Sequence, residues 1–220
     1  MKTLKIDIVS DVACPWCAIG YARLKQAMDD VKDELTFTLD WHAFELNPDM
    51  PLAGEPILEH LSRKYGRSAA DMEATQAQMM EIAHSLGLNF SKLQERHARN
   101  TFDAHRLLKW AKTEDRQTEL KLALFEAYFG RAENVSEQAV LRRCAEAVGL
   151  DGDAAQRVLD SDDYAVAVRA DEERYQQAGV TAVPAFIVNQ RYLIAGAQEP
   201  HTLVHTFREI AEDRVEISPV

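Results

Sequence analysis

Cysteine is scarce, with three in 220 residues, at positions 14, 17 and 144. A small secreted scaffold stapled by disulfides carries more, and in even number, so that class is excluded. Glycine and proline are sparse (9 and 7) while 46% of residues are hydrophobic. That balance excludes collagen-like and disordered chains and leaves a packed globular protein. No apolar run approaches membrane-spanning length. Positive charge is also short, 25 Lys and Arg against 36 Asp and Glu for a net charge of -11. Neither nucleic acid nor an anionic membrane surface is therefore an expected partner. A charged-then-apolar leader is missing too. A strand pattern starts by residue 4 and the first cysteines arrive by residue 14, so the expected location is the cytoplasm. In that reducing compartment a vicinal cysteine pair is more often catalytic than structural.

Such a pair is present in Asp11-Val12-Ala13-Cys14-Pro15-Trp16-Cys17. It follows an alternating apolar run (Leu4, Ile6, Ile8) and precedes a helical pattern. Residues three apart on a first helical turn lie on one side, so the two sulfurs can meet. The free N–H groups and positive dipole end there favour a thiolate, the nucleophilic form. Pro15 suits a first helical position, where its missing N–H costs nothing. Half a zinc site is an alternative, but no second Cys-x-x-Cys supplies the other ligands. Two buried structural cysteines are another. No metal is expected. Cys144 lies on an amphipathic helical pattern and reads as a small buried hydrophobe.

In chain order, residues 3–9 form a first strand, 15–32 a helix and 35–46 a second strand, with a loop over 51–56. This β-α-β order predicts a parallel pair with a crossover helix. Strand signal then vanishes from 56 to 178. Helices are expected from Ser68 to Gly87, from Ser91 through Trp110, over 116–129, from a Ser136 cap to Gly149, and over 151–159 and 161–178. Met72, Met79 and Met80 read as core filler. Ala185–Val188 and Arg191–Ala195 form a hairpin across Asn189-Gln190, and 199–213 a last helix. The predicted fold is α/β, a core from residues 1–55 and 179–220 interrupted by an all-helical insertion at 56–178. Asp7 is either an exposed acid or, in a central strand, a buried proton carrier. Asp11 is either a turn residue or a modulator of the thiols. Pro184 begins the third strand, where a trans bond is the default and cis costs about 0.5–1 kcal/mol.

Five stretches in this order carry a resemblance over essentially the whole chain. They are Ser10–Cys17, Phe44-Glu45-Leu46-Asn47-Pro48, Asn100–Arg106, Gly179–Pro184 and Gly196-Ala197-Gln198. The chain resembles DsbA-type members of the thioredoxin fold, and within them FrnE-like proteins, relatives of 2-hydroxychromene-2-carboxylate isomerase and kappa-class glutathione transferase. The resemblance implies a thioredoxin-like core with the helical insertion and a cis Pro184. It implies that Val183 offers its backbone to substrate, that Cys14 is the exposed attacking thiol and that Cys17 is the buried resolving one. Pro15 and Trp16 would contact substrate. His105 either lines the cleft and stabilises the Cys14 thiolate or bonds only its helical neighbours.

The expected activity is thiol–disulfide exchange through Cys14 and Cys17, on a protein or a small thiol, with no bound cofactor and glutathione as a candidate redox partner. A glutathione-dependent isomerase or transferase of small aromatic or polyketide-like compounds is the enzymatic alternative. The isomerase and transferase relatives lack the Cys-x-x-Cys pair, which counts against it. A redox-linked holdase chaperone is the non-enzymatic one. Monomer and homodimer are both compatible with this reading.

Overall fold

The computed structural model describes residues 1–51 and 53–214; residues 215–220, the end of the expected 179–220 segment, lie outside the described residues. The first apolar run forms β1 (Lys2–Ser10) and the second β2 (Leu35–Ala43). They pair in parallel with Ile6 opposite Leu39 and Ile8 opposite Trp41. The helix between them is α1 (Pro15–Asp30). A two-residue β3 (Glu55–Pro56) and β4 (His97–Ala98) form a separate antiparallel ribbon. Far along the chain, β5 (Ala185–Val188) and β6 (Tyr192–Ala195) form an antiparallel hairpin whose two turn residues, Asn189 and Gln190, both have positive φ. Two such residues give the backbone twist that matches paired strands. β5 adds antiparallel to the free side of β1, so the sheet order is β2-β1-β5-β6.

Because β1 is central, both of its faces are covered. Leu4, Ile6 and Ile8 join the main core, while Val9 packs with Tyr175, Val180 and Ala185 on the other side. That second apolar layer explains why the strict alternation fails at Val9. It also buries Asp7.

Between β2 and β5 the chain is mainly helical: α2 (Ile57–Tyr65), α3 (Ala69–Ser85), α4 (Phe102–Thr113), α5 (Gln117–Phe125), α6 (Gln138–Ala147), α7 (Gly152–Asp160) and α8 (Ala165–Gln177). After β6, α9 (Pro200–Ala211) packs beside α1, and its Phe207 ring lies 5.2 Å from Phe37 of β2. Among the described residues no helix is long and apolar enough to cross a membrane.

Four local expectations are corrected. The helix expected from Ser91 begins only at Phe102, and residues 91–101 hold turns and β4 instead. Asn89 and Asn100 explain this. Each side-chain oxygen accepts the backbone N–H two residues on, at Ser91 and Phe102, a local bond that competes with helix. β3 lies inside the expected 51–56 loop, and with β4 it shows that strand pairing does occur after residue 55; two-residue strands are too short to show a period. The helix expected over 116–129 changes at Glu126 into a π turn reaching Gly130. Ser136 does not cap α6, because its hydroxyl donates to Asn100 O at 2.8 Å.

Gly20 on α1 faces the start of β5. A Cβ there would lie 2.9 Å from Pro184 Cγ and 3.3 Å from Phe186 Cζ. Gly20→Ala gains about 1 kcal/mol in helix propensity but overpacks this contact at a cost of about 1–3 kcal/mol. The expected result is a lower urea midpoint with an unchanged slope; an equal or higher midpoint would show that Pro184 yields freely.

Candidate active site

The β1–α1 turn places the cysteines. Cys14 is the extended residue just before the helix, Pro15 opens the helix, and the Cys17 amide donates to Cys14 O at 3.1 Å. Both thiols are free in this structure. Cys14 is 5% exposed and Cys17 1%. The attacking thiol assigned by the resemblance is therefore buried from bulk solvent, a correction. The reason is that Cys14 opens instead into a cavity of about 780 Å³, walled by Trp16, Phe44, Met72, Met79, Tyr128 and Val183 among others. Pro15 lies on the same wall, and Cys17 does not reach it. The Val183–Pro184 bond is cis, and the Cys14 thiol donates to Val183 O at 3.6 Å. Trp16 is half-exposed at the cavity wall.

The two sulfurs share one hydrogen bond. With the charge on Cys17, that bond is the main cause holding Cys14 well above the usual thiol value, and burial and the Asp11 charge add to it. For Cys17, burial pushes up most strongly, yet the Cys14 thiol, the Lys121 ammonium and the Ser10 hydroxyl together bring it below the usual value. The first proton to leave the pair is thus lost more readily from the inner sulfur than from the outer one.

Asp11 anchors the turn from beneath. Its Oδ1 accepts from Ala13 N at 3.2 Å, Thr101 Oγ1 at 2.8 Å and His105 Nε2 at 3.3 Å, and its Oδ2 from Leu46 N at 2.7 Å. Burial works to raise its pKa, but His105, Leu46 N–H and Lys121 hold it below the ordinary carboxylate value. His105 is pushed down by its own burial, against the pull of Asp11. It therefore stays a neutral donor to Asp11, and its described hydrogen bonds reach neither sulfur. Asn100 donates to Pro48 O at 2.9 Å, and Gly196 N to Pro184 O at 2.8 Å. The five stretches of the resemblance thus gather around one turn.

Asp7 is buried but bonded elsewhere, to His42 Nε2 at 3.2 Å and Lys5 Nζ at 3.1 Å. It belongs to an ion network with Asp40, His42, Asp171, Lys109 and Lys112. Asp7, Asp40 and His42 bring ligand-type atoms within 4.8 Å of one another. Their carboxylates are engaged by these cations, so charge pairing accounts for the cluster. Cys144 is buried, and burial pushes its pKa up to about 11, which makes it inert.

Lys121 is the residue that the motifs missed. It is 1% exposed, its Nζ donates to Ser10 O at 3.4 Å, and it lies 5.4 Å from the Trp41 ring and 5.1 Å from Phe125. Burial brings its pKa down to about 8, against the attraction of Cys17, Asp11 and Cys14. A signal existed. Gln117, Leu120, Leu124, Phe125 and Tyr128 are buried at helical spacing, and position 121 falls on their stripe, whereas Leu122 falls off it and is exposed.

The folded protein releases the Lys121 proton near pH 8 and the unfolded chain keeps it to about 10.5. Between those values the unfolded state binds more protons, so stability rises with pH, by at most about 1.4 kcal/mol per unit from this group. Lys121→Met is expected to be more stable than the wild type at pH 7. Urea unfolding at pH 7, 8, 9 and 10 checks this, and a constant difference between the two proteins across that range would contradict it.

The family model described as a DSBA-like thioredoxin domain matches residues 5–208. The uncharacterized protein YwbO of Bacillus subtilis is 29% identical over 196 residues, covering 89% of this chain and 91% of that protein. The crystal structure of a probable DsbA oxidoreductase from Streptomyces coelicolor superposes with a TM-score of 0.89 at 31% identity, covering 99% of this chain and 94% of that one. The cytosolic disulfide reductase DsbM of Pseudomonas aeruginosa, solved with GSH, shares the fold at a TM-score of 0.62 and 17% identity, over 97% of this chain and 100% of that one.

Proposed function

The chain belongs to the DSBA-like thioredoxin domain family of oxidoreductases, and on that premise we propose that it exchanges disulfides through Cys14 and Cys17, with Cys14 meeting the substrate. The observation that carries this is access: Cys14 lines the cavity beside the Val183 carbonyl, and Cys17 lies behind it. Attack needs the shared proton to pass to Cys17, leaving a thiolate at Cys14. A substrate disulfide then yields a mixed disulfide at Cys14 and one free thiolate. Cys17 must next lose its proton to attack Cys14 and expel the second thiolate. Lys121 serves this step as the neighbouring base and, once protonated, as the cation beside the charge. In the opposite direction the oxidised pair accepts a substrate thiolate at Cys14, and a second substrate thiol releases it.

The proposal takes a low-molecular-weight thiol or disulfide as substrate, glutathione included, because Cys14 sits inside a cavity of about 780 Å³ rather than on an open face. It assigns Val183, Pro184, Pro15 and Trp16 to the substrate wall. A cytoplasmic setting is part of the reading, supported by the scarcity of cysteine and by the cytosolic disulfide reductase that shares the fold. The same cavity favours a second reading, isomerisation or group transfer on a small compound. Activity that survives Cys17→Ser would select it.

Cys14→Ser is expected to abolish turnover of 2-hydroxyethyl disulfide, while Cys17→Ser halts after one step with a mixed disulfide at Cys14, visible by mass spectrometry. Full turnover in both variants would sink the exchange reading. In the wild type, the resolving step should quicken as pH rises to about 8 and then level off. Lys121→Met should slow it by about 10²-fold at pH 7 and move the inflection upward, because burial then raises Cys17 with no cation to oppose it. An unchanged profile would remove Lys121 from the mechanism.

A further inference from the structure

One wall of the cavity holds groups that the exchange chemistry does not use. Arg96 is 3% exposed, and among the described residues no carboxylate pairs with it. Its Nη1 donates to Gln76 Oε1 at 2.9 Å and to Leu93 O, and its guanidinium stands 5.4 Å from the Tyr128 ring and 5.5 Å from Phe129. Its side chain also bonds the Tyr128 hydroxyl, but its Nε finds no acceptor. Gln76, 2% exposed, has the same deficit. Because its Oε1 is taken by Arg96, the orientation of its amide is fixed, and Nε2 is left without a partner. Buried donors nearly always have partners, and a buried charge without a counter-ion is strongly unfavourable. Both side chains line the cavity that opens at Cys14, and Arg96 lies within electrostatic reach of the Cys14 sulfur.

The rest of the wall has the same sign. Lys64 and Arg67 also line it, against one acid, Glu45. Glu45 is already held by Arg169 Nη1 at 2.6 Å and by Asn100 Nδ2 at 3.3 Å. A chain of net charge -11 has therefore assembled a locally cationic chamber over its reactive sulfur.

We infer that the Arg96–Gln76 corner is an anion subsite that receives a carboxylate of a small thiol or disulfide while its sulfur meets Cys14. This rests on the exchange reading above and adds the substrate class. Guanidinium and amide N–H groups side by side suit a planar carboxylate, whose oxygens satisfy donors that the protein leaves open. In the reducing direction the Cys14 thiolate attacks one sulfur of the acid's disulfide, and one carboxylate-bearing thiolate leaves. Cys17 then displaces the second and the Cys14–Cys17 disulfide forms, so two electrons pass from the protein pair to the substrate.

Single-turnover oxidation of the reduced protein tests this with no recycling reductant. The probes are two carboxylate disulfides of different reach, 3,3′-dithiodipropionate and oxidised glutathione, and the neutral 2-hydroxyethyl disulfide. The key variant is Gln76→Glu, which gives Arg96 an internal carboxylate and closes the subsite without emptying the core; its circular dichroism and Tm report on folding. The wild type should react with at least one acid about tenfold or more faster than with the neutral disulfide, the range expected of a charged hydrogen bond. Gln76→Glu should lose that ratio. A wild type without preference, or a folded Gln76→Glu that keeps it, overturns the subsite. If none of the three disulfides reacts, the exchange reading fails instead. Calorimetry with S-methylglutathione, which has the carboxylates and cannot exchange, then decides the subsite alone: binding to the wild type and not to Gln76→Glu upholds it, and no binding to either removes it.

Discussion

The Asp11 carboxylate is the interaction on which the site depends. It is 1% exposed and accepts from four donors drawn from the β1–α1 turn, the segment after β2 and the start of α4. An isolated carboxylate in such surroundings would take up a proton. Four donors and the nearby Lys121 keep it charged. That charge fixes the turn carrying Cys14 and orients neutral His105. It also opposes negative charge on Cys14, while Lys121 draws charge toward Cys17. Asp11 thus holds the turn and adds to the difference in acidity between the two sulfurs.

Most of the fold could be read from the chain because its signals were local. Alternation marked β1 and β2, Asn189-Gln190 marked the hairpin, and Ser68 marked the start of α3, where its hydroxyl accepts from Asp71 N at 3.1 Å. The stretch from 91 to 101 was misread because Asn89 and Asn100 divert backbone N–H groups into side-chain bonds, which no apolar period reveals. The π turn at Glu126 is equally silent, since it keeps the same apolar residues.

The site was legible where chemistry is carried by adjacent residues and opaque where it is carried by burial. Cys14 and Cys17 stand out by type and spacing, and Pro184 only through the resemblance. Asp11 reads in the sequence as a turn residue or a thiol modulator; in the fold its carboxylate holds the turn, and its charge bears on Cys14. Lys121 and Arg96 belong to residue types that usually lie in water, and only the folded chain shows them below 5% exposure. Lys121 at least broke an apolar stripe. Arg96 stands in the stretch that was taken for helix, so its surroundings were wrong before its role was considered.

The cis-proline wall has a consequence for how the protein is made. Cys14 meets Val183 across 169 residues of sequence, and Ser10 meets Lys121 across 111. The thiols leave the ribosome well before Lys121 and Val183, which face Ser10 and Cys14 in the folded chain. At about 5–20 residues per second, the pair waits on the order of ten to thirty seconds for its wall. During that interval the cysteines lack the carbonyl, the lysine and part of the cavity wall that surround them in the folded chain. The surroundings of the pair are therefore a property of the folded topology, assembled only once residue 183 has been made.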